Sequence, residues 1–219
     1  MRGITTATVR KAVTAVVATA ALATLTTGVP ASAATTKSDA RSVEPASVHG
    51  GGRIFYGFVP DDDIRFTVDA TSAPYSRPYP GVPALKNGLP TDAKGTVTIS
   101  HWSAKDNKTM KSVATVDCLV TGDRTATVTA TITTVNDPEL ADTIGERRGF
   151  SVYDGKGGRD RFGFSWGVGN LDTDEKGNPV PGRVGTCMAP APFAPVVKGG
   201  FTVRHAELAT EPPKAARGR

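Results

Sequence analysis

The chain has 219 residues, 26 Lys and Arg against 21 Asp and Glu, a formal net charge of +5, two cysteines and three histidines. Arg2, Arg10 and Lys11 supply three of those charges with no acid among residues 1–33, so the other 186 residues carry only +2 and no basic stripe interleaved with aromatics. That balance excludes nucleic acid as a partner, and His49, His101 and His205 stand too far from each other and from Cys118 and Cys187 for zinc-ligand spacing.

The N-terminus reads as a secretory signal: a basic n-region, an Ala/Val/Leu/Thr h-region over 12–26, and Ala31-Ser-Ala33 as a cleavage site. Cleavage after Ala33 is expected, with an extracellular destination. No second apolar run of about 20 residues follows, so no transmembrane segment is expected in the mature chain. Residues 34–47 (ATTKSDARSVEPAS) are polar and small and read as a disordered lead-in, 48–208 as one β domain, and 209–219 as a flexible basic tail.

Within the domain the elements are strands. Ile54–Val59 and Ile64–Val68 are short, aromatic and β-branched, separated by Pro60-Asp-Asp-Asp63. Residues 71–94 hold five prolines and read as a long loop, followed by the alternating Thr96–Ser100. Ser112–Val120 and Arg124–Thr134 form a hairpin across Thr121-Gly-Asp123. In its second strand Ala126, Val128, Ala130 and Ile132 share the core face, and the threonines between them face water. Phe150–Tyr153, Arg161–Val168 and Gly200–Leu208 complete about eight strands. Turn residues at intervals of about ten positions predict an all-β single domain, an antiparallel β-sandwich or jelly-roll-like fold.

Gly163-Phe-Ser-Trp-Gly167 matches the G-x-S-x-G of serine hydrolases, and Ser165, Asp172 or Asp174, and His205 follow in a permissive order. A nucleophile elbow requires a helix directly after the serine, and VGNLDTDEKGNPVPG cannot form one. Alternation instead places Phe162, Phe164, Trp166 and Val168 on one face of a strand and Ser165 on the other. The loop Asp154–Asp160 mixes two carboxylates with Lys156 and Arg159, which oppose a cation, so it reads as a turn. Asp172–Asn178 begins like an EF-hand but has Lys176 at position 5 and Arg183 at position 12, and Asp61-Asp62-Asp63 reads as an exposed turn. No catalytic, metal or cofactor residue is therefore assigned, and no cofactor is expected. Tyr56, Tyr75, Tyr79 and Trp102 are the aromatics that could grip a polysaccharide.

In an exported chain the isolated pair Cys118 and Cys187 is read as one disulfide. Cys118 shares an alternating set with Val116 and Val120, which points its sulfur at the core and pins the irregular segment around Cys187 to the sheet.

Val116-Asp-Cys-Leu-Val120 with Gly122-Asp-Arg-Thr-Ala126, then Phe150-Ser-Val-Tyr-Asp154-Gly and Gly158-Arg-Asp160-Arg-Phe162, resemble a family of small secreted actinobacterial proteins with a β-sandwich-like domain and no assigned activity. The resemblance covers about residues 48–208, departs at 71–94 and 171–183, and implies fold and export but no catalytic residues. The expected role is non-catalytic: extracellular binding or envelope association, with a cell-wall component, a polysaccharide or a protein as partner. The alternatives are a hydrolase using Ser165 and an inhibitor of secreted proteases that presents Met188 from the loop 183–195.

Overall fold

The structure, a computed structural model, describes residues 44–79, 81–165, 171–181 and 184–212. The expected signal segment, most of the lead-in, Trp166, Val168 and the end of the tail lie outside the described residues. Among the described residues ten strands follow one another: β1 (Ser47–Ile54), β2 (Asp63–Ser72), β3 (Ala93–Ser103), β4 (Lys108–Gly122), β5 (Thr125–Val135), β6 (Arg147–Tyr153), β7 (Arg161–Phe164), β8 (Leu171–Thr173), β9 (Pro179–Pro181) and β10 (Ala194–Arg204). Short 3-10 helices lie at Pro83–Leu85 and Pro138–Thr143.

Eight strands close into an antiparallel barrel in the order β1-β10-β7-β6-β5-β4-β3-β2, and β8 pairs with β9 in a separate hairpin. This corrects the expected sandwich or jelly roll. From β1 to β7 each strand pairs with its successor, and β10 closes the ring by pairing with both β1 and β7. Alternation along a strand reports one buried face. It does not say whether that face meets a second sheet or its own curved continuation, and so the pattern alone cannot separate the two architectures.

The inward faces supply the core. Phe66 stacks on Phe162 at 4.3 Å between ring centroids, and Phe162 stacks on Phe201 at 5.3 Å. Ala126, Val128, Ala130 and Ile132 of β5 are buried as their spacing predicts. Gly50-Gly-Gly52 in β1 lets the neighbouring strands approach closely. Gly50 has φ of 136°, and a Cβ there would lie 2.3 Å from the Gly200 carbonyl oxygen. The first strand was therefore expected too late, at Ile54–Val59: β1 is a glycine-rich strand with little side-chain signal, and residues 55–62 are a loop. Ala46 and Ser47 are buried, so packing begins inside the expected lead-in.

A bulge in β4 between Val116 and Cys118 shifts the strand's parity. Leu119 joins the core, while Cys118 stands opposite Thr129, whose neighbours Val128 and Ala130 face inward. The Cys118–Cys187 disulfide is formed, but on the outside of the barrel, under a strap of chain over residues 184–193. Thr129 on this face is buried rather than solvated, because its Oγ accepts from the Cys187 N–H at 3.3 Å. Outward positions on β6 and β7 are small for the same reason. A Cβ on Gly149 would meet the Met188 carbonyl oxygen at 2.1 Å, one on Gly163 the Ala191 carbonyl oxygen at 2.4 Å.

Candidate functional site

The residues singled out in the sequence disperse over the molecule. Ser165 extends the β6–β7 ladder: its N–H donates to the Gly149 carbonyl at 3.0 Å, and its Oγ accepts from the Gly149 N–H at 2.9 Å. His205 lies across the barrel beside Thr121 Oγ1, 3.1 Å from Nδ1, and Glu207, 3.2 Å from Nε2. The structure thus does not bring Ser165 and His205 together. Asp174 accepts from the backbone N–H groups of Lys176 and Asn178, both at 2.8 Å, and from the Asn178 side chain. Those bonds, the Asn178 ones first, hold its carboxyl below the usual range and spend it on closing the β8–β9 turn. The side chain of Asp172 is outside the described residues.

Asp154 pairs with Arg124 at 2.7 Å and accepts from the Val203 N–H. Asp160, buried, accepts from the N–H groups of Gly155 at 2.9 Å and Phe201 at 2.7 Å, stitching β10 across its two-residue pairing with β7. Asp63 pairs with Arg65 at 2.7 Å. Among the described residues no three His, Cys, Asp or Glu side chains group as a metal site, and no helix is long and apolar enough to cross a membrane. The Met188 side chain is exposed, but its backbone lies flat on β6, and the strap is tied by Ser151 Oγ donating to the Pro190 carbonyl at 2.5 Å and Arg161 Nε to Pro192 at 2.9 Å. Tyr75 donates to the Ala209 carbonyl at 3.1 Å and Trp102 to Asn107 Oδ1 at 3.3 Å.

Tyr56 has a different place. At the barrel end where β1 stops and β2 starts, the interior is not filled, and a cavity of about 360 Å³ remains. Phe66, Phe150 and Phe164 form one wall, and Ile99, Met110 and Ile132 another. Tyr56, Phe58 and Val59 from the β1–β2 loop and Leu140 and Thr143 from the 3-10 helix Pro138–Thr143 stand over it. Measured against the ~30 Å³ that a water occupies in the liquid, the space equals about a dozen waters. Eight-stranded barrels are wide enough to pack solid or to hold one small ligand, and here one end packs while the other does not.

Besides Thr143 and Ser165, three polar residues break the apolar lining. Ser112 is buried within it. His101 Nε2 meets Asp62 Oδ2 at 2.5 Å, and Asp62 Oδ1 accepts from the Ala104 N–H at 2.9 Å. Those two bonds, that of His101 first, hold the Asp62 carboxyl below the usual carboxylate range. They also tie the β1–β2 loop to the β3–β4 hairpin. Arg148, one-fifth exposed, donates from Nη2 to Glu146 and from Nη1, at 3.4 Å, to the Ser165 carbonyl. Its Nε is buried with no hydrogen-bond partner.

Of the residues singled out in the sequence, Tyr56 and Ser165 line this site, together with His101 of the three histidines. Arg148 was legible as an inward residue, since it sits two positions before Phe150 on a strand, but the strand was expected to begin at Phe150. Phe58 and Val59 read as strand residues in the sequence; in the structure they sit on the loop over the cavity, Val59 part-buried and Phe58 largely exposed. No family model matches this chain, and no curated protein or solved structure matches it either.

Proposed function

We propose that this protein is an exported, non-catalytic binding barrel that takes one small, mainly apolar molecule into the cavity under the β1–β2 loop. The observation that carries the reading is the cavity itself: about 360 Å³ of unfilled interior lined by Phe66, Phe150, Phe164, Ile99 and Ile132, in a barrel whose other end is packed. Packed interiors have few voids larger than a water, and apolar concavities with a few placed polar groups are the usual form of a ligand site. The signal-like N-terminus supports export, and the strap held by Cys118–Cys187 suits an oxidising compartment.

The test is titration of the purified mature protein with N-phenyl-1-naphthylamine, a neutral dye that brightens in apolar surroundings. Saturable binding at one dye per chain is expected, and it should vanish in Ser112→Phe and Ile99→Trp, which fill the cavity from two walls. No saturable brightening, or brightening unchanged in both folded variants, overturns the proposal.

A further inference from the structure

We infer that the cavity selects a neutral aromatic ring compound carrying one hydrogen-bond-accepting oxygen, with the ring among the phenylalanines and the oxygen on Arg148. The inference rests on the cavity being the binding site.

The first support is the chemistry of the walls. Aromatic residues are 6% of the chain, yet they are five of the fifteen residues that line the cavity. The five form one connected set. Tyr56 lies 5.4 Å from Phe58 and 5.3 Å, edge-to-face, from Phe164; Phe66 lies 5.2 Å from Phe164 and 6.0 Å from Phe150, both tilted. Rings held tilted offer edges and faces to the space between them. A flat guest can continue that arrangement, gaining attraction beyond the area it buries, and Met110 adds a polarisable sulfur to the lining. A saturated guest of equal size gains the burial only.

The second support is Arg148. A guanidinium has five donors. Here one goes to Glu146, one makes a long bond to the Ser165 carbonyl, and Nε is buried with no partner. A buried donor left unmade is costly, and a guest oxygen at this guanidinium removes that cost. The charge, however, is already matched by Glu146, and Asp62 on the rim adds a second carboxylate paired to His101. An anionic guest would bring a third carboxylate to that end with no unmatched cation to receive it. A neutral hydroxyl or carbonyl oxygen meets the donor without that repulsion.

Four probes of one size separate these terms: 2-naphthol, naphthalene, decahydro-2-naphthol and 2-naphthoate, each titrated by displacement of the dye. We expect 2-naphthol to bind tightest, about three- to tenfold ahead of decahydro-2-naphthol for one aromatic contact, about tenfold or more ahead of naphthalene for one hydrogen bond from a charged donor, and ahead of 2-naphthoate. Arg148→Met should bring 2-naphthol and naphthalene to equal affinity while leaving the advantage over decahydro-2-naphthol. Phe164→Leu should do the converse. Arg148→Leu replaces Arg148→Met if the latter does not fold. Equal affinity of the ring and its saturated analogue, tighter binding of naphthoate, or an Arg148 variant that keeps the naphthol preference overturns the inference while leaving the cavity a binding site. If no probe binds and the dye does not either, the proposed function itself falls.

Discussion

Replacing Cys118 and Cys187 together by alanine should cost this barrel a large part of its stability. The bridge joins positions 69 residues apart, and closing a loop of that length in the unfolded chain is worth roughly 4 kcal/mol in the chain-entropy model. The alternatives to that covalent tie are few. Besides the disulfide, the strap is held by the Cys187 N–H on Thr129, Ser151 on the Pro190 carbonyl and Arg161 on the carbonyls of Pro192 and Phe193. Those bonds are net worth about 1 kcal/mol each, so they keep the strap in place but do not replace the constraint. Alanine is the suitable substitute because Cys118 is fully buried and a serine would place an extra hydroxyl there. Urea unfolding followed by circular dichroism should show the midpoint falling and the slope rising as the unfolded chain expands, and melting should drop by about 8–16 °C for a domain of this size. A loss below about 1 kcal/mol would refute the reasoning. It would mean that the unfolded chain without the bridge keeps residual structure that already restricts it.

Phe164→Ala removes a buried ring that touches Tyr56, Phe66 and Phe193 and should cost about 3–5 kcal/mol in the same unfolding assay. Ser165→Ala, which as a bare strand position would be silent, should cost about 1–3 kcal/mol because the buried Gly149 N–H loses the oxygen it donates to; an unchanged midpoint contradicts that. Asp160→Ala strands two buried N–H groups, on Gly155 and Phe201, and a loss of about 3 kcal/mol or more is expected, with hydrogen exchange of β10 rising first. The Asp62 carboxyl is held below its ordinary value by His101 and Ala104, so its contribution is present above the unfolded value near ~4 and is lost as pH falls through the lower folded value. Hydrogen exchange over residues 55–62 should therefore rise on acidification below about pH 4, and Asp62→Asn should show the raised exchange already at neutral pH.

How much of this was visible in the residues depends on which physical signal each part uses. β5 was legible because its aliphatics alternate with threonines, a pattern only a strand with one buried face satisfies. β1 was not, because its inward positions are Gly50 and Gly52, and the absence of side chains is what lets β10 approach. Cys118 was placed on the core face by counting in twos, and a single extra residue in the β4 ladder moved it to the other side. Bulges are set by the partner strand, so a count along one strand cannot see them. The same limit hid the fold: an inward face is a local property, and closure is a property of all eight strands.

The site was hidden for a related reason. A cavity is a difference between the volume a barrel encloses and the volume its inward side chains fill, so no single motif encodes it. β6, β7, β2 and β10 send in Phe150, Phe162, Phe66 and Phe201, whose rings meet across the middle, and Phe66 and Phe150 also line the cavity. At the cavity end β4 supplies Ser112, where a large residue would be needed to close the gap. The β1–β2 loop then arches over the space, and its Tyr56, Phe58 and Val59 look like strand residues because both roles call for apolar side chains. What separates them is the pairing: Ile54 is the last residue of β1 bonded to β2, and beyond it the loop is held by the Phe55 N–H on Pro195, at 3.0 Å, and by Asp62 on His101 and Ala104. A lid fixed at its two ends and apolar between them can part from the barrel without unzipping a strand. Asp62→Asn removes the tie at one of those ends, so stopped-flow mixing with the dye should show faster association while the barrel stays closed, and an unchanged rate refutes the reasoning.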